Sequence, residues 1–239
     1  MSIGTAADVG GECFDGSMDA ESALREQTRA LREQNRALWA TAVCFLVGAA
    51  LGAVLLHGAA RPLAGPGSIM VPAAIVAGAV AAIAFVVSTL VHRRGETAGM
   101  PRWQRVVSDV SQAAVTIAFG GVTGLGVLLA AEVFATGLQD ISLGPLVGGI
   151  FTGIAAALGG RLAFAAGVDL RTTDLAALLF GFLLIGTLFA MITAADPLWW
   201  QKNFSQLGSG AGAWAFNGTL MVAGLLVATI GSYIGRDLH

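Results

Sequence analysis

The chain is poor in charge. Only 12% of its 239 residues are Asp, Glu, Lys or Arg, against 56% hydrophobic, whereas a soluble domain carries about 25% charge. An ordinary soluble domain is thereby excluded. The formal charge of −2 gives no basis for nucleic-acid binding, which needs an excess of cations to neutralise phosphates. Lysine is nearly absent: Lys202 lies outside every long apolar run, so no retinal Schiff base can form within one. Histidine is scarce, and His57, His92 and His239 are far apart, whereas a zinc site needs several ligands converging at one place. No metal or cofactor is expected. Cys13 lies in a polar tail and Cys44 in an apolar run, so a disulfide is not expected.

What the chain has instead is six long apolar runs: Leu38–His57, Ile69–Val91, Val106–Ala135, Leu143–Ala165, Leu175–Ala195 and Trp214–Ile234. Each is long enough to cross a hydrocarbon core of about 30 Å at about 1.5 Å per residue. The basic residues crowd into alternate gaps. Arg25, Arg29, Arg32 and Arg36 precede the first run, Arg93, Arg94, Arg102 and Arg105 follow the second, Arg161 and Arg171 flank the end of the fourth, and Arg236 follows the sixth. The other side receives only Arg61 and Lys202. Eleven against two orients the chain by the positive-inside rule, with both termini cytoplasmic. The fold class expected is all-α: six transmembrane helices in one bundle. The first 37 residues are polar, so no cleavable signal peptide is expected there and the first run itself is expected to direct insertion. The abundance of Ala, Gly, Val and Leu, with Arg far above Lys, resembles a high-GC bacterium and points to the inner (plasma) membrane.

Three segments are expected: a disordered cytoplasmic tail over 1–18, a heptad-like cytoplasmic helix over 19–37, and the transmembrane domain over 38–239. The helix carries a repeat, Ala23-Leu-Arg-Glu-Gln-Thr-Arg29 followed by Ala30-Leu-Arg-Glu-Gln-Asn-Arg36. Leu24, Leu31 and Leu38 are seven apart, which places Thr28 and Asn35 at a positions. Asn at a favours a parallel dimer, so a homodimer through the 19–38 helix is one expectation. A solvated juxtamembrane helix is the other, since only two heptads are present. No helix breaker separates this segment from the first span, and one continuous helix from about Asp19 to Leu56 is expected. Glycines four apart, at Gly48/Gly52, Gly120/Gly124, Gly149/Gly153 and Gly231/Gly235, fit small-xxx-small packing of helices in lipid.

Ionisable groups near spans are candidates for function by default. Glu132 lies near the outer end of the third run, with His57, Asp140 and Asp196 expected at a similar depth. Together they would form an acidic outer pocket, or each would only terminate a span in the headgroup region. No pair of carboxylates falls at mid-membrane, as a proton-coupled transporter would require, and no Ser–His–Asp set can be assembled at one depth. Enzyme and pump both lose ground. The last outer loop is the most individual part of the chain: Asp196-Pro-Leu-Trp-Trp200-Gln-Lys-Asn-Phe-Ser205-Gln-Leu-Gly208-Ser-Gly-Ala-Gly-Ala-Trp214-Ala-Phe-Asn217. Its tryptophans suit an aromatic belt, Gly208, Gly210 and Gly212 suggest a mobile turn, and the Asn217 amide needs a partner, for which Ser205 or the loop backbone is in reach.

The pattern Asp196-Pro-x-Trp-Trp, Asn203-Phe-Ser205-x-Leu-Gly208 and Trp214-x-Phe-Asn217-x-x-Leu220-x-x-Ala-Gly224 resembles a bacterial six-span family of unknown function (DUF 998). That family is similar, more distantly, to the eukaryotic DRAM/FGF-receptor-activating-protein-like group, which is associated with lipid remodelling, membrane-lipid organisation and autophagy. The resemblance covers about 38–239, its specific part being this loop and the start of the last helix. It implies a six-helix bundle with a non-cytoplasmic Ser-x-x-Gly loop, carries Asp196, Ser205, Gly208, Phe216 and Asn217 as matched positions, and implies no established activity. The expected function is binding of membrane lipid or a membrane partner through Glu132, Asp196, Trp200, Ser205, Gly208 and Asn217. A small-solute transporter or channel is the alternative, and a lipid-modifying enzyme a weaker one.

Overall fold

The computed structural model describes residues 9–58, 60–63, 67–92, 102–137, 142–210 and 212–237. Its elements are α1 (Val9–Leu55), β1 (Arg61–Pro62), α2 (Met70–His92), α3 (Arg102–Gly137), β2 (Ser142–Leu143), α4 (Pro145–Val168), α5 (Thr172–Ile192) and α6 (Ala213–Asp237), with two short 3-10 turns, Trp199–Gln201 and Phe204–Gly208, between the last two helices. Six stretches within these helices are long and apolar enough to cross a membrane, from Gln34–Leu55 to Ala213–Gly235. The chain is an all-α, multi-pass membrane bundle.

Two compact units divide the chain, Met1–Trp39 and Ala40–His239. In the first, the helix begins at Val9, not at Asp19, so residues 9–18 are helical where an irregular tail was expected. Once a helix is nucleated, each further residue adds a hydrogen bond for the dihedrals it fixes, and the strong formers at Ala20, Ala23 and Leu24 let the helix run on toward the N-terminus. Of the heptad positions, Thr28, Leu31, Asn35 and Leu38 are exposed.

In the second unit the helices neighbour one another in the order α1, α4, α2, α3, and α3 in turn lies against α5 and α6, which pair together. The α2 span is the most enclosed, with 56% of it buried against 17% for the α1 span. Its Ala73, Ala77, Ala81 and Ala84 are buried at helical spacing, and such small side chains let neighbouring backbones approach closely. A Cβ placed on Gly78 would lie 2.7 Å from the carbonyl oxygen of Gly120 on α3. The outward faces are apolar as well: Ile75, Ile83 and Leu90 on α2 and Leu146, Leu158 and Leu162 on α4 are all at least 60% exposed. In water such a surface would aggregate; in lipid it is what hydrocarbon requires.

The α1–α4 contact is an antiparallel ladder. Cys44, Gly48, Gly52 and Leu56 meet Gly160, Ala156, Thr152 and Gly148 in turn, four residues apart on both helices. Three of the four expected glycine pairs therefore pack. Gly231/Gly235 does not: no atom lies within 4 Å of a Cβ built at either position. The packed face of α6 runs instead through Ala215, Thr219, Ala223, Leu226 and Thr229, on another side of the helix. At the ends of α1 and α3 the connecting loops are tied by the two-residue pairing of β1 and β2, Arg61 opposite Leu143 and Pro62 opposite Ser142. Leu56, Leu63 and Ile69 form a small apolar cluster beneath it.

Candidate functional site

The α5–α6 loop is built on one carboxylate and one leucine. The Asp196 Oδ1 accepts the backbone N–H of Leu198 at 2.9 Å, and its Oδ2 accepts the Lys202 ammonium at 2.7 Å. Asp residues commonly close such a turn on their own backbone. The Lys202 hydrogen bond first, and the Leu198 N–H second, hold the Asp196 carboxyl below the usual carboxylate range, because both stabilise its charged form. The second 3-10 turn then drives Leu207 inward, where it is 2% exposed and joins the core that includes Ala215 and Phe216. Phe204 meets Phe216 edge to face at 5.3 Å, and Trp199 meets Phe204 at 6.1 Å, the geometry that aromatic quadrupoles favour.

The three loop glycines expected as a mobile turn are points of close approach. The Asn217 Nδ2 donates to the Gly208 carbonyl at 3.4 Å, so the loop backbone is the partner of that amide. Gly210 has φ +79°, a left-handed conformation that glycine adopts without a Cβ penalty. A Cβ there would also fall 2.8 Å from that of Ala195, and one on Gly212 would fall 2.9 Å from the Thr193 carbonyl oxygen. The loop is thus strapped back onto the end of α5. Trp200, Phe204 and Trp214 are 62%, 50% and 59% exposed, so an aromatic surface faces outward from a base anchored by Leu207.

The expected site residues are only partly gathered. Gly208 and Asn217 meet. Asp196 is neutralised by Lys202 and does not contribute a free charge to an acidic pocket. The Ser205 hydroxyl donates to the Asn203 Oδ1 at 2.6 Å on the exposed side of the loop. Glu132, half-buried on α3, makes no hydrogen bond or ion pair with another described residue. Asp140 lies outside the described residues, and His57 is exposed. Among the described residues no three His, Cys, Asp or Glu side chains gather as metal ligands.

A second feature lies along the third and fourth spans, whose glycines the channel alternative would have line a path. Two adjoining clefts of about 460 and 390 Å³ follow one another along the seam of α3, α4 and α5, sharing Val122, Thr123, Gly159 and Leu162. The first reaches Asp169 in the α4–α5 turn and Asp174 in the first turn of α5, and the second reaches Phe134 and Phe151 in the opposite direction. In the turn, the Arg171 Nη2 lies 2.8 Å from the Asp169 Oδ2. The Asp174 Oδ2 accepts the Arg171 backbone N–H at 3.1 Å. The only mark of its charged end in the sequence is a pair of acidic residues about a short turn, which by itself denotes nothing more than a helix end. No protein-family model, curated protein or solved structure matches the chain.

Proposed function

We propose that the protein is a non-enzymatic component of a bacterial inner membrane that binds membrane lipid through its Asp196–Asn217 loop. The observation that carries this reading is the build of the loop: Leu207 is buried while Trp200, Phe204 and Trp214 are exposed. An ordered base with tryptophans turned outward suits the headgroup region, where an amphipathic ring meets both hydrocarbon and water. The exposed Ser205–Asn203 pair offers polar groups to a headgroup beside that aromatic surface. The uneven division of arginines favours a loop on the non-cytoplasmic side with both termini inside. The resemblance to the six-span family of unknown function fits this orientation and supplies no activity. Lipid counted after mild-detergent purification is the test. The wild type should retain more phospholipid per chain than a Ser205→Ala/Asn217→Ala double variant; equal retention would remove the loop as the site.

A further inference from the structure

The α3–α4–α5 groove faces hydrocarbon along the spans and ends on charge. From Phe151 to Asp169 it extends roughly 27 Å along α4, at about 1.5 Å per residue. Two clefts of about 460 and 390 Å³ follow one another over that length, long enough for an extended hydrocarbon chain to lie along the seam. Its lining is almost wholly apolar, and the bilayer that surrounds it supplies chains and not water.

Charge at the turn narrows the choice of lipid. Asp169 and Asp174 both line the end of the groove. Asp169 and Arg171 are paired, but their side chains remain 66% and 73% exposed, and a guanidinium with five N–H donors keeps some free for a phosphate. One cation and two anions at this end complement a headgroup that itself carries both signs. We infer that the groove holds one acyl chain of an amine-bearing phospholipid, with the phosphate on Arg171 and the ammonium on Asp169 and Asp174. The site lies at the end of the bundle opposite the tryptophan loop and stands independently of it.

Two glycines make the test clean. Gly126 and Gly181 line the groove, and a Cβ at either has nothing within 4 Å, so a leucine there starts into open space beside the slot and improves helix propensity. Gly224 on α6 is equally open and lies outside the groove. The full chain would be placed in phosphatidylcholine nanodiscs containing a trace of phosphatidylethanolamine, or of phosphatidylglycerol, with a diazirine on one acyl chain. After illumination, the ethanolamine probe should label wild-type residues 122–134 and 151–166 at least five-fold more than the phosphatidylglycerol probe does. Gly126→Leu/Gly181→Leu should lose that labelling at least five-fold, Gly224→Leu should keep it, and Asp169→Asn/Asp174→Asn should abolish the preference for the amine. Even labelling of all six spans, labelling unchanged in the filled groove, or equal use of the two probes by the wild type would each overturn the proposal. Retention of lipid lost with Ser205→Ala/Asn217→Ala but not with the filled groove would count against this site while leaving the loop intact.

Discussion

Gly52 of α1 lies so close to Thr152 of α4 that a Cβ on the glycine would fall 2.7 Å from the threonine Cβ. Thr152 is fully buried, and its hydroxyl donates back to the Gly148 carbonyl at 2.8 Å, so it has no freedom to move aside. Gly52→Leu should therefore destabilise the bundle by about 1–3 kcal/mol, the usual cost of overpacking. Thr152→Gly should offset much of that loss in the double variant, since it removes the side chain that collides. Reversible unfolding in mixed micelles would measure the cycle, and additive losses would mean that the two residues do not touch.

The glycines at the end of α6 should behave in the opposite way. Gly231 has the same spacing to Gly235 that Gly48 has to Gly52, yet a Cβ there has open space around it. Gly231→Ala should leave the stability unchanged or raise it by up to about 1 kcal/mol through helix propensity. A loss as large as that of Gly52→Leu in the same unfolding assay would reveal a neighbour that the structure does not contain.

Leu207 is the anchor of the tryptophan loop. Leu207→Ala removes a buried side chain, and the cost at well-packed sites runs to about 2–5 kcal/mol. Because the loop can open without unfolding the bundle, the loss should appear locally, as faster amide exchange over 196–212 with the helices unaffected. Unchanged exchange in the loop would mean that Leu207 does not hold it.

The Asp196–Lys202 clasp should respond to acid. The folded-state carboxyl titrates below its unfolded value because Lys202 and the Leu198 N–H favour its charged form, so its stabilisation is present above the unfolded value. It is lost as the pH falls through the folded one. Tryptophan emission from Trp199 and Trp200 should be flat at neutral pH and shift only under strongly acidic conditions. Lys202→Met should move that shift to higher pH; an unmoved midpoint would remove the clasp as its cause.

These predictions divide along a line that is physical. The six spans could be read from the sequence because a helix in lipid must satisfy its own backbone and therefore advertises itself as a long apolar run. Gly48/Gly52 and Gly149/Gly153 could be read as packing stripes, but not that they face each other, since spacing defines a face and not its partner. Gly231/Gly235 carries the same spacing without a partner, for the same reason. The Asn217 amide could be expected to bond the loop, because a polar group at a helix start needs satisfying. The Leu207 anchor was invisible, since one apolar residue among many leaves no periodic trace; glycines in the third and fourth spans hinted at a path, but not that α5 closes one side of the groove or that it ends on Asp169 and Asp174. Glu132 stood out by charge alone, and the structure ties it to neither His57 nor Asp196, the described residues expected beside it.

The central claim is that the tryptophan loop is the working face and lies outside the cell membrane. It is tested most directly by placing Ser205→Cys in a chain carrying Cys13→Ser and Cys44→Ala, and treating intact cells with a membrane-impermeant maleimide. Ser205 is exposed in the loop, so the thiol should be labelled in intact cells, whereas Ser17→Cys in the same background should be labelled only after permeabilisation. Labelling of the position-17 variant in intact cells, with the position-205 variant protected until lysis, would contradict the account.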